Sequence, residues 1–197
     1  MELEVFKENL NKFFELEFLD DIKIVYPKNR QELNKYYGND TPSRLIWFTN
    51  KKDTVYILDK ENFEKESNKK YNSLDYEITI KHEIVHLYYR RKTKAWRPIW
   101  LNEWLAIYLS GKLKHRHPHI DKFQNFLNFY YNTGKEVYHE SWFVIQILIE
   151  QFGVKKFQEL LKNINSLEFK QIYFEKIFEE IYWFEIIYKN INKFLKS

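Results

Sequence analysis

Lys81-His82-Glu83-Ile84-Val85-His86-Leu87 lies inside a stretch, Ser73 to about Arg91, whose patterning is helical. On a helix, residues four apart project from one face one turn apart, so the imidazoles of His82 and His86 are neighbours. Two such nitrogens can reach a single tetrahedral zinc at about 2.0–2.1 Å. Glu83 is offset around the helix from that pair. From there a carboxylate can touch a water on the metal and take its proton, which is the mechanical content of the His-Glu-x-x-His spacing. The same spacing also arises in a helix whose histidines are merely hydrogen-bonded beside a core, so a third ligand decides between the two.

Downstream, Trp100-Leu101-Asn102-Glu103-Trp104-Leu105-Ala106 offers one. Sixteen residues separate His86 from Glu103, enough for a helix end, a turn and re-entry into a second helix. A carboxylate among Trp100, Leu101, Trp104 and Leu105 is costly unless it is paired or metal-bound. Asn102 beside it is polar as well, and on spacing alone Glu103 reads equally as a ligand or as a residue on an exposed helix face.

His82-Glu83-Ile84-Val85-His86 followed by Trp-Leu-Asn-Glu-x-x-Ala resembles the gluzincin metallopeptidases, above all their aminopeptidase N-like branch and also the thermolysin-like enzymes. The resemblance covers roughly residues 54 to 162. It implies a zincin-like fold, one Zn(2+) per chain, His82, His86 and Glu103 as ligands, and Glu83 as catalytic base. Val137-Tyr138-His139-Glu140-Ser141-Trp142-Phe143-Val144 is similar to the helix where those enzymes carry a tyrosine that steadies the tetrahedral intermediate. It makes Tyr138 the candidate donor, with His139 ranked behind it. Two departures matter. Met1 is the only methionine, so the Gly-x-Met-Glu-Asn segment that holds a substrate's free amine is absent, and exopeptidase activity does not carry over. Ile107 stands where thermolysin-like members place a histidine-orienting aspartate.

The rest of the chain frames this site. At 197 residues it fits a single domain, 1–197, with a substantial core. It has no cysteine, so thiolate ligands, disulfides and cysteine nucleophiles are excluded. The net charge of +4 is spread over 32 basic and 28 acidic residues, and the longest basic runs are Lys69-Lys70 and Arg90-Arg91-Lys92. A nucleic-acid partner is therefore not expected. No apolar stretch approaches the ~20 residues of a membrane span. Met1-Glu2-Leu3-Glu4-Val5 also lacks the pattern of a secretory signal, and the expected location is cytoplasmic.

Periodicity predicts an α+β chain. Its first part, to about residue 72, holds a small antiparallel or mixed sheet, and 73–197 forms a helical half with the site. A helix is expected over 3–18, a strand at 22–26, and a short helix from Asn29 to Tyr37 stopped by Gly38. Two hairpin strands follow at 44–49 and 54–58, with a loop or poor helix over 60–72. Further helices are expected over 73–91, 98–111, 121–134, 137–152, 154–163 and 167–195. In the family that the chain resembles, an edge strand just upstream of the zinc helix pairs with extended peptides, and the resemblance implies that role for Val55-Tyr56-Ile57-Leu58. His115, His117 and His119 alternate, but Arg116 and Pro118 favour a solvated turn over a second metal site. The C-terminal aromatics Tyr173, Phe174, Phe178, Tyr182, Trp183, Phe184 and Tyr188 are read as core. These readings make the expected partner a peptide or protein substrate. The competing expectation is an inactive zincin-fold binding module with a structural metal.

Overall fold

The structure, a computed structural model, describes residues 3–16, 22–50, 53–112, 120–131, 137–164 and 170–195; of residues 137–139, 141 and 142 it describes the backbone alone. Helix α1 (Leu3–Phe14) turns Phe6, Leu10 and Phe14 inward and ends where Glu15 takes a left-handed conformation, φ 50. Strand β1 (Lys23–Val25) follows, then α2 (Arg30–Tyr37). As the sequence predicts, Asn29 caps α2, its side-chain oxygen accepting from the Glu32 N–H at 2.8 Å, and Gly38 closes it at φ 91. Strands β2 (Trp47–Thr49) and β3 (Thr54–Ile57) form the expected antiparallel hairpin, with Phe48 opposite Tyr56. The short α3 (Phe63–Glu66) lies within the segment read as loop or poor helix.

The long helix α4 (Ser73–Thr93) carries the histidines, and its cap is Asn72, whose side chain accepts from the Asp75 N–H. Every residue from 80 to 89 is buried, because this helix is enclosed on several sides. The sheet, α1, α5 (Ile99–Ser110) and α7 (Val154–Asn163) all pack on it. On the α1 side, Phe14 meets Tyr88 with ring centroids 5.6 Å apart, and the Tyr88 hydroxyl donates to the Lys7 carbonyl. On the other side α5 presents Trp100, Leu101, Trp104, Leu105 and Ala106, all fully buried. Side chains of this kind contribute about 1.5–3 kcal/mol each when fully buried. Helix α6 (Val137–Phe152) covers α5, and α8 (Gln171–Tyr182) packs on α7. A short α9 (Tyr188–Ile191) and a 3-10 turn (Asn192–Leu195) complete the described chain.

The sheet is mixed. Its order is β1-β3-β2, with β1 and β3 parallel and β2 antiparallel to β3. This corrects the reading of residues 55–58: β3 is paired on both sides and cannot add a further strand. The edge nearest the helical half is β2. Antiparallel alternation directs the Phe48 backbone at β3 and turns the N–H and C=O groups of Trp47 and Thr49 outward.

Three helices also differ from expectation. The first ends at Phe14 rather than 18. A helix beginning near Asp121 is not formed; only a 3-10 turn at Phe126–Phe129 appears among the described residues there. The cause is Glu140, whose buried carboxylate accepts the backbone N–H groups of Gln124, Asn125 and Phe126 at 2.7–3.0 Å. A backbone held this way has its donors committed outside a helical ladder. The last expected helix breaks at Trp183, φ 66, where Lys156 sits over the indole at 3.3 Å. Phe174, Phe178 and Tyr182 are core as read, but Tyr173 and Trp183 face solvent.

The hairpin is fastened to the histidine-bearing helix by ions. Asp53 Oδ1 lies 2.7 Å from Arg90 Nη2, and its Oδ2 lies 2.7 Å from Arg91 Nη2. Arg90 also donates to the Asn50 carbonyl. Partial burial raises the Asp53 carboxyl, but the hydrogen bonds and charges of Arg91 and Arg90 outweigh it and hold the pKa low. No described helix is long and apolar enough to cross a membrane.

Candidate metal centre

The two histidines sit in the enclosed middle of α4, and Glu103 enters from the second turn of α5, which packs beside it. The Nε2 atoms of His82 and His86 are 3.1 Å apart. Glu103 faces both rings, its Oε2 lying 3.6 Å from His82 Nε2 and its Oε1 3.7 Å from His86 Nε2. Tetrahedral zinc with bonds of about 2.0–2.1 Å needs neighbouring donors about 3.3–3.4 Å apart. The nitrogen pair and each nitrogen–oxygen pair lie near that value, and one donor atom from each residue falls within 4.8 Å of the other two, so the group can hold a metal ion.

Protonation supports the fit. Asn102 Nδ2 donates to the Trp96 carbonyl, which turns its Oδ1 toward His86. His86 Nδ1, 2.9 Å from that oxygen, must then carry the proton, leaving the Nε2 lone pair aimed at His82 and Glu103. His82 is buried and its Nδ1 has no hydrogen-bond partner among the described residues. Burial holds this imidazole neutral, its pKa pulled down to about 4 against the pull of the Glu103 carboxylate. Burial works the other way on Glu103, but the hydrogen bond from His82 and the charges around it prevail, and the carboxyl stays low and ionised. A neutral His82 imidazole and an ionised Glu103 carboxylate are states that suit a cation.

Glu83 is buried too, and lines the same open cavity of about 360 Å³ as His82, His86, Glu103, Trp47, Phe48 and Lys112. It is not one of the three converging donors. Burial raises its pKa; Glu103 adds to the rise, whereas His86, Lys112 and a hydrogen bond from Trp47 oppose it. A carboxylate poised this way is a proton acceptor nearer to neutral pH than a solvated glutamate.

Of the residues singled out in the sequence, the structure therefore brings together His82, Glu83, His86 and Glu103. Tyr138 and His139 lie in the first turn of α6, but their side chains are outside the described residues, as are His115, His117 and His119. Ile107 is buried among apolar groups. The orienting contact to His86 comes instead from Asn102, which the sequence reading treated only as a polar neighbour of Glu103. A clue was present, for Asn102 is a second polar residue in an otherwise apolar turn. Trp47, Phe48 and Lys112 were not legible, being brought to the cavity by tertiary packing alone.

Removing Asn102's acceptor while keeping its bulk, as in Asn102→Leu, is expected to weaken metal binding about 10–100-fold, the usual cost of losing such an orienting partner. Asn102→Asp keeps the acceptor and should retain more affinity. Competition against a chromophoric chelator reads both, and equal affinities for Leu and wild type would refute the orienting role.

No family model, curated protein or solved structure matches the chain.

Proposed function

We propose that this chain is a zinc-dependent peptidase of the gluzincin kind, with a zincin-like fold, acting on a peptide or protein. The observation that carries the reading is the clustering of His82 Nε2, His86 Nε2 and the Glu103 carboxylate, one donor atom from each within 4.8 Å of the others, in an open cavity with Glu83 also in its lining. Zinc held by His82, His86 and Glu103 would supply Lewis acidity toward a carbonyl oxygen and would acidify water. Glu83 takes the proton from the attacking water and passes it to the leaving amine. Trp47 holds the Glu83 carboxylate in place through its side-chain hydrogen bond. Asn102 fixes the ring of His86. The outward N–H and C=O groups of Trp47 and Thr49 on β2 give an extended peptide a strand to pair with beside the cavity.

The competing reading, an inactive binding module with a structural metal, is less well supported. Structural zinc sites are closed by four protein ligands. Three donors converge among the described residues, the cavity is open, and Glu83 is buried beside them at a cost that a structural site does not require.

The test is metal content with activity. Purified protein should carry one zinc per chain and cleave an unstructured protein such as casein. Chelation should abolish cleavage, and one equivalent of zinc should restore it. Cleavage that survives complete chelation would sink the reading, and stoichiometric zinc without any cleavage would favour the binding module.

A further inference from the structure

We propose that Lys112, with Lys69 beside it at the cavity mouth, binds a substrate carboxylate, so that the site selects peptides with an acidic group close to the bond being cut. The inference rests on the peptidase reading and names its substrate class.

Lys112 owes its place to the end of α5. Gly111 adopts φ 76, a conformation open to glycine without strain, and donates its N–H to the carbonyls of Ile107 and Tyr108. The chain turns there, and Lys112 lines the cavity with the four candidate site residues. Lys69 comes from the segment between α3 and α4. Its Nζ lies 4.4 Å from the ring centroid of Trp47, the indole that forms part of the same wall. Neither ammonium is held in an ion pair among the described residues, whereas Lys7, Lys81, Lys92 and Lys155 each have a carboxylate.

Two like charges kept near one another are unfavourable without an anion between them. Burial first and the charge of Lys112 second pull the Lys69 pKa down, so the two ammonium groups act on one another. The charge balance of the cavity explains when the anion is wanted. Without metal, Glu83 and Glu103 balance Lys112 and Lys69 and leave little net attraction for a further carboxylate. A divalent cation on His82, His86 and Glu103 would tip that balance and leave Lys112 free to pair. Acidic ligands are then drawn more strongly to the metal-loaded protein.

A side-chain carboxylate and a C-terminal one share this chemistry, and binding distinguishes them. The full chain carrying Glu83→Gln, loaded with zinc, is titrated with short unstructured Ala-Gly peptides. One arm places a single Glu or Gln at each position in turn with the C-terminus amidated; the other compares free acid with amide in the neutral peptide. We expect one arm to show about tenfold tighter binding of the carboxylate form, the value of one charge-assisted hydrogen bond. Adding Lys112→Met should remove the preference, and Lys112→Glu should shift it toward peptides bearing Lys in place of Glu. Both substitutions are at an exposed position, and circular dichroism checks that the fold is kept. Equal affinities in both arms, no binding of any peptide, or a preference that survives Lys112→Met would each overturn the proposal. Wild-type protein that cleaves neutral and acidic peptides equally leaves the peptidase reading standing and defeats this one. A carboxylate preference without cleavage does the opposite.

Discussion

Glu83→Gln is expected to keep one zinc per chain and to lose about 10²–10⁴-fold in turnover, the range assigned to a positioned acid–base group. Two features make metal and activity separable at this residue. The carboxylate is not among the three converging donors, so the cation's site is untouched. Glutamine has the same length and can still meet the Trp47 side chain, so packing in this buried position is nearly conserved. What disappears is the ability to accept and return a proton. Casein cleavage and metal content measured on one preparation decide the matter. A variant that cleaves at near wild-type rates would remove Glu83 from the chemistry, and one that loses its zinc would make it a ligand.

Glu103→Ala should instead lose metal and activity together. Without its carboxylate the group offers two ring nitrogens 3.1 Å apart, and no described residue replaces the oxygen. Metal affinity is expected to fall by more than the roughly 100-fold upper cost of losing an outer-shell partner. Folding of the metal-free protein should be far less affected. Glu103 is about one-fifth exposed and His82 is held neutral, so no unpaired cation is left behind, and a change of about 1 kcal/mol is expected. Zinc titration and thermal unfolding in chelator separate the two effects. Undiminished metal binding would refute the ligand assignment.

How much of this was legible in the sequence depends on the range of the interactions. The placement of His82 and His86 is a matter of helical spacing, and the caps at Asn29 and Gly38 are likewise local; each was readable from a few residues. Glu103 could be narrowed to two readings but not resolved, because its meaning depends on how α5 packs against α4. The helix expected from Asp121 failed for a nonlocal reason, namely that Glu140 captures the backbone donors of residues 124–126. The apolar run at 55–58 identified a strand but not its neighbours, and strand order reversed the role of edge and centre. Lys112 carried no signal at all, since a lysine after a helix-ending glycine is ordinarily a solvated one.

The ion pairs from Asp53 to Arg90 and Arg91 bear on the hairpin's freedom to move. Arg90 lies one turn beyond His86 on α4, and its guanidinium also holds the Asn50 carbonyl at the end of β2. The strand that would align a peptide and the helix that bears Glu83 are therefore parts of one rigid frame. For a peptide laid along Trp47 and Thr49, the distance from its backbone to the Glu83 carboxylate is set when the protein folds, not when the peptide arrives. The entropy of alignment is then incurred once per protein molecule rather than once per turnover.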